Sequence, residues 1–409
     1  MPKQFDIPRA YRSDLIGAIK KRRALSDTRK EDLSPTRVDL GPVVFYIARF
    51  FGFCYGVENA IEIAYRALEE NPGKRIFLLS EMIHNPHVNS DLLSRGVSFL
   101  QTVDGEQLIP FSELRSDDVV IVPAFGTTRE IFEKLERLGI NPQSYNATCP
   151  FVEKVWKRGR QLAQQGYTII IHGKHTHEET RATFSQIRID GPSVVVRDKR
   201  EADLLCRYVR NELPKESFFE DFAGRLSPGF RVPEDLERLG VVNQTTMLAE
   251  ETHEIALMVK QAVAERFKGD DATLHFADTR DTLCYATSEN QRAMRGLLAE
   301  SADLAIVVGG YNSSNTSHLV ELCEGRVPVF YVKDAEEIVS REEIRHRDLL
   351  RGVVSSREWL PDKNPVKILI SAGASCPDAM VEAVLSRVAS LFPTAKALQD
   401  SGSAASLSA

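Results

Sequence analysis

The order of apolar runs along this 409-residue chain predicts an α/β fold of three repeated parallel-sheet units, set in a pseudo-threefold, trefoil-like arrangement around one central site. Three observations predict it. Apolar, β-rich runs alternate with amphipathic stretches, the pattern of parallel strands buried on both faces. The same succession occurs three times. A cysteine stands at the same place in each copy: Cys54, Cys149 and Cys284.

Residues 1–41 read as a polar N-terminal extension whose amphipathic stretch, Asp14 to Leu25, lies solvated on the core. The first unit covers 42–145: a β-run from Pro42 to Ile47 leads to Cys54, a helical stretch spans Val57 to Glu69, and a buried-type strand, Arg75 to Leu79, opens into His84-Asn85. The second covers 146–282, with a helix over Val152 to Gln164, a strand over Tyr167 to Ile171 and the loop His177-Glu178-Glu179; residues 202–239, rich in Pro and mixed charge, read as an insertion. The third covers 283–392, with a helix over Ser288 to Ala299, a strand over Leu304 to Val308 and the loop Asn312-Ser313-Ser314-Asn315. Residues 393–409 form a tail of disordered composition, Ser/Ala/Gly-rich from Ser401. The loop residues His84, His177 and Ser314 follow their cysteines by 30, 28 and 30 residues, and Gly96, Gly191 and Gly325 follow by 42, 42 and 41. A further β-run closes each copy with a small-residue loop: Gly126-Thr127-Thr128, Gln244-Thr245-Thr246 and Gly373-Ala374-Ser375. In parallel sheets ligands bind beyond the carboxyl ends of the strands, where all these loops fall.

Composition excludes several classes. Acids outnumber bases by 58 to 52, against the basic excess of a nucleic-acid binder. The longest apolar runs, such as Leu304 to Val308, fall far short of the roughly 20 residues of a membrane span. Six cysteines in this length are too sparse for a disulfide scaffold, and no apolar h-region opens the chain; a reduced, cytoplasmic setting is expected. No Gly-x-Gly-x-x-Gly follows a strand and no P-loop occurs, so no bound nicotinamide, flavin or ATP is expected, and electrons would come from a separate carrier protein.

Cys54, Cys149 and Cys284 lack any CxxC partner, but three thiolates converging from equivalent places could hold zinc or an iron–sulfur cluster. A [4Fe–4S] cluster on three cysteines leaves one iron open as a Lewis acid. Cys206, Cys323 and Cys376 do not repeat and read as core thiols. The loop candidates are His84, His177, Glu179, Thr245, Ser313, Ser314, Asn315 and Ser375. They carry no Lys or Arg apart from nearby Lys174, so an anion would be held by neutral donors, imidazolium and helix N-termini. Glu179 is the natural proton carrier; Glu178 reads as solvated, His172 and His175 as structural, Tyr55 and Tyr285 as packing residues.

Phe51-Gly52-Phe53-Cys54-Tyr55-Gly56-Val57, Ile83-His84-Asn85, Ala147-Thr148-Cys149-Pro150, His177-Glu178-Glu179-Thr180, Asn243-Gln244-Thr245-Thr246, Asp281-Thr282-Leu283-Cys284-Tyr285-Ala286-Thr287, Asn312-Ser313-Ser314-Asn315 and Ser371-Ala372-Gly373-Ala374-Ser375 occur in an order that resembles the 4-hydroxy-3-methylbut-2-enyl diphosphate reductase family over about residues 43–390. The resemblance implies the last step of the methylerythritol phosphate route: reductive dehydroxylation to isopentenyl and dimethylallyl diphosphate. It implies that Cys54, Cys149 and Cys284 hold a [4Fe–4S] cluster. It implies that His84, His177, Ser313, Asn315 and Ser375, with Ser314, grip the diphosphate, and that Glu179 with Thr245 delivers protons. It also implies a ferredoxin or flavodoxin-type donor, and a plastid stroma in place of the cytoplasm if the source is a plant or alga. The extension and insertion resemble the long branch of cyanobacteria, some other bacteria and plastids; Phe125 stands where shorter members usually have histidine. Two other readings stand beside it: a quinolinate-synthase-like iron–sulfur dehydratase, and a non-enzymatic iron–sulfur sensor or zinc-stabilised scaffold.

Overall fold

The computed structural model describes residues 5–269, 271–277, 282, 284–398 and 407–408. The chain divides into two compact bodies. The first comprises Met1–Glu58, His84–Val88 and Tyr285–Ala409; the second comprises Asn59–Ile83 and Asn89–Cys284.

In chain order the first body opens with strands β1 (Thr36–Asp39) and β2 (Val43–Ile47). The second body holds β3 (Ile76–Leu78), β4 (Val97–Phe99), β5 (Val119–Ile121), β6 (Thr168–His172), β7 (Ser193–Val196), β8 (Leu239–Asn243) and β9 (Phe276–Ala277). The first body resumes with β10 (Leu304–Val308), β11 (Val329–Val332), β12 (Glu343–Asp348), β13 (Gly352–Arg357), β14 (Val366–Ala372) and β15 (Leu407–Ser408). The central strands are β-branched, apolar and buried on both faces, as β6, β8 and β10 are throughout, which is what parallel sheets between helical layers require.

Three sheets share one parallel strand order. It runs β4-β3-β5 with a parallel bridge from Val122 to Asn146, then β7-β6-β8-β9, then β11-β10-β14-β2. Two boundaries differ from the sequence reading: β2, read as opening the first unit, lies beside β14 of the third, and Asn146, read as opening the second, bridges Val122 of the first; β9 lies beside β8 within the second unit. The chain changes sheet at each cysteine. An apolar run announces that it is buried, but not which edge it joins.

The extension is more than a solvated layer. Ser13 caps helix Asp14–Ser26 by accepting from Ile16 N at 2.9 Å, and Leu15, Ile16 and Ile19 enter the core beside β2. In the insertion, helix Lys199–Val209 is an ordinary crossover between β7 and β8. After it Phe218, Phe222 and Phe230 pack with Tyr208 into a buried cluster, with ring centroids 4.9 to 5.4 Å apart for Phe218 against the other three. β15 pairs antiparallel with β1; the rest of the segment from Ser401, with Asp281 and Leu283, lies outside the described residues.

Candidate active site

Each candidate thiol stands at the start of a helix. Cys149 is the cap of helix Pro150–Gln164; its N–H donates to Ala124 O at 2.9 Å and its carbonyl accepts from Glu153 N at 3.1 Å. Cys54 directly precedes helix Tyr55–Glu70, with its carbonyl accepting from Glu58 N at 3.0 Å, and Cys284 directly precedes helix Tyr285–Leu297. The positive end of a helix dipole favours a thiolate. By contrast, burial pushes Cys206 and Cys323 up to about 12, and Cys376 further, so these are inert core thiols as expected. The donor chemistry of Cys54, Cys149 and Cys284 fits metal–thiolate bonding. Cys54 belongs to the first body and the other two to the second. Among the described residues no group of three or more His, Cys, Asp or Glu side chains is gathered closely enough to hold an ion.

The first body assembles a polar cradle at the carboxyl ends of β10 and β14. His84, Ser313, Ser314, Asn315 and Ser375 are all buried there. Ser313 caps helix Ser314–Cys323 and accepts from Thr316 N at 3.3 Å. Asn315 Oδ1 accepts from Ala374 N at 2.8 Å, which leaves its buried Nδ2 with no hydrogen-bond partner. Ser375 Oγ donates to His84 O at 3.1 Å, and Cys54 N donates to Ala374 O at 3.2 Å. The loops touch so closely that a Cβ on Gly373 would collide with Thr316 Oγ1. Gly52, two residues before Cys54, has φ +78°, and a Cβ there would come within 2.9 Å of Asp378; only glycine meets both demands.

The second body holds His177, Glu179 and Thr245. His177 caps helix Glu178–Ile187, its Nδ1 accepting from Glu179 N at 3.2 Å. That bond places the neutral ring's proton on Nε2, as a donor. Phe125 lies edge-to-face on the His177 ring, centroids 5.7 Å apart. Glu179 is 1 % exposed. Thr245 N donates to its Oε1 at 2.5 Å and Thr245 Oγ1 to its Oε2 at 3.0 Å. Burial outweighs both bonds and raises the carboxyl from 4.5 to about 7.

One reading needs correction. Glu178 is buried, bonded to Ser80, with Oε2 unpartnered, and is pushed up to about 8 by desolvation. Its bonding residue lies 98 positions away, beyond the reach of local pattern. Tyr55 packs edge-to-face on Phe5, centroids 4.8 Å apart, yet Tyr55 and Tyr285 stay 39 % and 42 % exposed. His172 is structural as expected, buried against Thr252 Oγ1 at 2.9 Å, whereas His175 is exposed. Residues that sequence reasoning did not place in the site support it: Gln244 Oε1 accepts from Thr180 Oγ1 at 3.0 Å and Lys174 N at 3.2 Å, and Asn243 Oδ1 accepts from Thr282 Oγ1 at 2.8 Å. The signal for them was their place inside the ordered motifs around Glu179, Thr245 and Cys284.

The LytB protein family model matches residues 45–389. The chain belongs to that family. Among curated LytB relatives, proteins named 4-hydroxy-3-methylbut-2-enyl diphosphate reductase are similar over most of the chain. The one from Synechococcus sp. RCC307 is 38% identical over 94% of this chain and 90% of its own length. The one from Trichodesmium erythraeum is 36% identical over 93% and 90%, and the one from Thermosynechococcus vestitus 39% over 86% and 85%. A solved structure of (E)-4-hydroxy-3-methyl-but-2-enyl diphosphate reductase is 27% identical, covers 84% of this chain and 98% of its own, and has a TM-score of 0.50. The Plasmodium falciparum reductase structure, 22% identical over 86% and 89%, has a TM-score of 0.62 and supports the LytB fold.

Proposed function

We propose that this chain removes the hydroxyl of (E)-4-hydroxy-3-methylbut-2-enyl diphosphate by reduction, giving isopentenyl and dimethylallyl diphosphate, the last step of the methylerythritol phosphate route. The observation that carries the reading is Glu179: a buried carboxyl held by Thr245, with its pKa brought to about 7 beside an N-capping histidine. A general acid works best with a pKa near the operating pH. Family membership and the reductase relatives support the same reading.

The reaction consumes two electrons and two protons; the C–O bond breaks, the hydroxyl leaves as water with one proton, and the second proton forms the new C–H bond. Cys54, Cys149 and Cys284 would hold a [4Fe–4S] cluster, which when bound supplies single electrons and a Lewis-acidic position for the hydroxyl. His84, His177, Ser313, Ser314, Asn315 and Ser375 would bind the diphosphate. Asn315 Nδ2 is a donor without a protein acceptor, and the N-terminus of helix Ser314–Cys323 favours an anion. His177 presents Nε2–H. Glu179 holds a proton near neutrality, and Thr245 fixes its orientation through both carboxyl oxygens. The allylic carbon that receives the proton decides the product. Electrons would come from a ferredoxin- or flavodoxin-type carrier, in the cytoplasm or, in a plant or alga, the plastid stroma; no described helix is long and apolar enough to cross a membrane.

The test is an anaerobic assay of iron–sulfur-loaded protein with reduced viologen and the hydroxylated allylic diphosphate. Formation of both C5 diphosphates supports the reading. An intact, oxygen-sensitive cluster without turnover would sink it.

A further inference from the structure

We infer that Phe5 and Tyr11, carried by the N-terminal extension, are positioning residues for Cys54: they grip the two residues that flank it and so fix the thiolate a metal cluster would use, a role that rests on the reductase reading for the identity of the group held. All the residues involved lie within the first body. Cys54 ends an irregular run that leaves β2 and passes through Gly52 at φ +78°. The backbone of that run is pinned at its two ends, by Ala48 N on Ile370 O at 2.9 Å and by Cys54 N on Ala374 O at 3.2 Å. These bonds fix where the run begins and ends; its course between them depends on what its side chains pack against.

The extension supplies that packing residue by residue. Phe5 stands edge-on to Tyr55, centroids 4.8 Å apart, and Tyr11 edge-on to Phe53, centroids 6.0 Å apart. Both are buried, at 4 % and 7 % exposure, although their segment precedes the first strand of the sheet. Edge-to-face pairs fix ring orientation as well as distance, so the side chains immediately before and after Cys54 are each held from the extension. The same segment follows the run further back: Lys20 Nζ lies 4.6 Å from the Phe51 ring centroid and Lys30 Nζ 5.6 Å from that of Phe50. The fit is close, since a Cβ on Gly52 would meet Lys20 Nζ at 3.0 Å. The extension can act as a support because it is itself anchored. Arg12 Nη2 donates to Phe5 O at 3.2 Å, Lys20 pairs with Asp378 at 2.6 Å, and Leu15, Ile16 and Ile19 enter the core. A ligand keeps its working geometry when the residues around it are locked by their own packing, and the apolar shell of a metal site governs how far solvent reaches it. Cys149 is half-buried like Cys54 but belongs to the second body, which makes it a matched control.

The test uses the full chain as wild type, Phe5→Ala, Tyr11→Phe and the double variant Phe5→Ala, Tyr11→Ala. In reduced, cluster-free protein, peptide mass spectrometry reads the rate at which iodoacetamide alkylates each cysteine. In cluster-loaded protein, visible absorption reads the lifetime of the cluster in air. The expected result in the double variant is Cys54 alkylation faster by about tenfold or more, Cys149 unchanged, and a cluster lifetime shortened several-fold. Tyr11→Phe should match wild type, because the ring makes the contact with Phe53. Cys206, Cys323 and Cys376 lie in the core, and their lack of reaction reports that the variant is folded. If they react, Phe5→Ala alone decides, since it leaves Tyr11 and the capped helix Asp14–Ser26 in place: a faster Cys54 supports the role and an unchanged one overturns it. An unchanged Cys54 rate in a folded double variant, an equal acceleration at Cys149, or a cluster as long-lived as in wild type would each overturn the positioning role. Failure of viologen-driven turnover in loaded wild type would instead sink the reductase reading, and the alkylation rates still read the support of Cys54.

Discussion

Replacing Glu179 by Gln keeps the shape of the side chain and removes its titration. The folded protein holds this carboxyl's proton to about pH 7, whereas an unburied glutamate releases it near 4.5. The difference, at about 1.4 kcal/mol per pH unit, is on the order of 3 kcal/mol. Because the folded state binds the proton more tightly, the cost is absent below about pH 4.5. It accumulates as pH rises towards 7, and then levels off. Wild-type unfolding free energy should therefore fall by roughly this amount relative to Glu179→Gln between about pH 4.5 and 7.5. Denaturant unfolding of both proteins across that range reads the difference, and the subtraction cancels the raised carboxyls they share. Turnover gives a second reading: wild-type activity should decline above about pH 7, and the variant should lose about 10²- to 10⁴-fold. Parallel stability curves, or a variant within tenfold of wild type with the same alkaline limb, would refute the account of Glu179 as a buried, protonated acid.

Thr245→Val removes the bond to Glu179 Oε2 and leaves the backbone bond; the carboxyl pKa should rise further, moving the alkaline limb of the turnover profile upward while kcat falls. Ser80→Ala strips the buried Glu178 of its donor, and thermal or denaturant unfolding should show a loss of about 1–3 kcal/mol. Ser replacing any of Cys54, Cys149 or Cys284 should abolish the visible absorption of the reconstituted cluster, whereas Cys206→Ala should keep it and lose only packing stability. Gly373→Ala drives a methyl into Thr316 and should cost about 1–3 kcal/mol, measured by denaturant midpoint, while lowering substrate affinity through displacement of Asn315 and Ser375.

Local chemistry made much of this chain legible. The threefold spacing of Cys54, Cys149 and Cys284 marked equivalent positions, since a buried strand, a loop and a helix each carry their own composition. Ser313 stood out because its polar loop follows a buried strand and precedes a helical stretch, and in the structure it caps that helix. The His84 and His177 loops stood out because they recur at similar offsets from their cysteines, 30 and 28 residues. Tertiary structure decided whatever depended on residues far apart in the chain. β2 could have joined β3, and pairs instead with β14, because an apolar run specifies burial without specifying a neighbour. Glu178 and Glu179 are adjacent acids with the same intrinsic chemistry. Their environments differ because helix Glu178–Ile187 turns one towards Ser80 and the other towards Thr245, from segments 98 and 66 residues away. A pKa is a property of surroundings, and the sequence names the carboxylate without its solvent. The repeat showed where the chemistry would gather, and packing brought Glu179 to about pH 7.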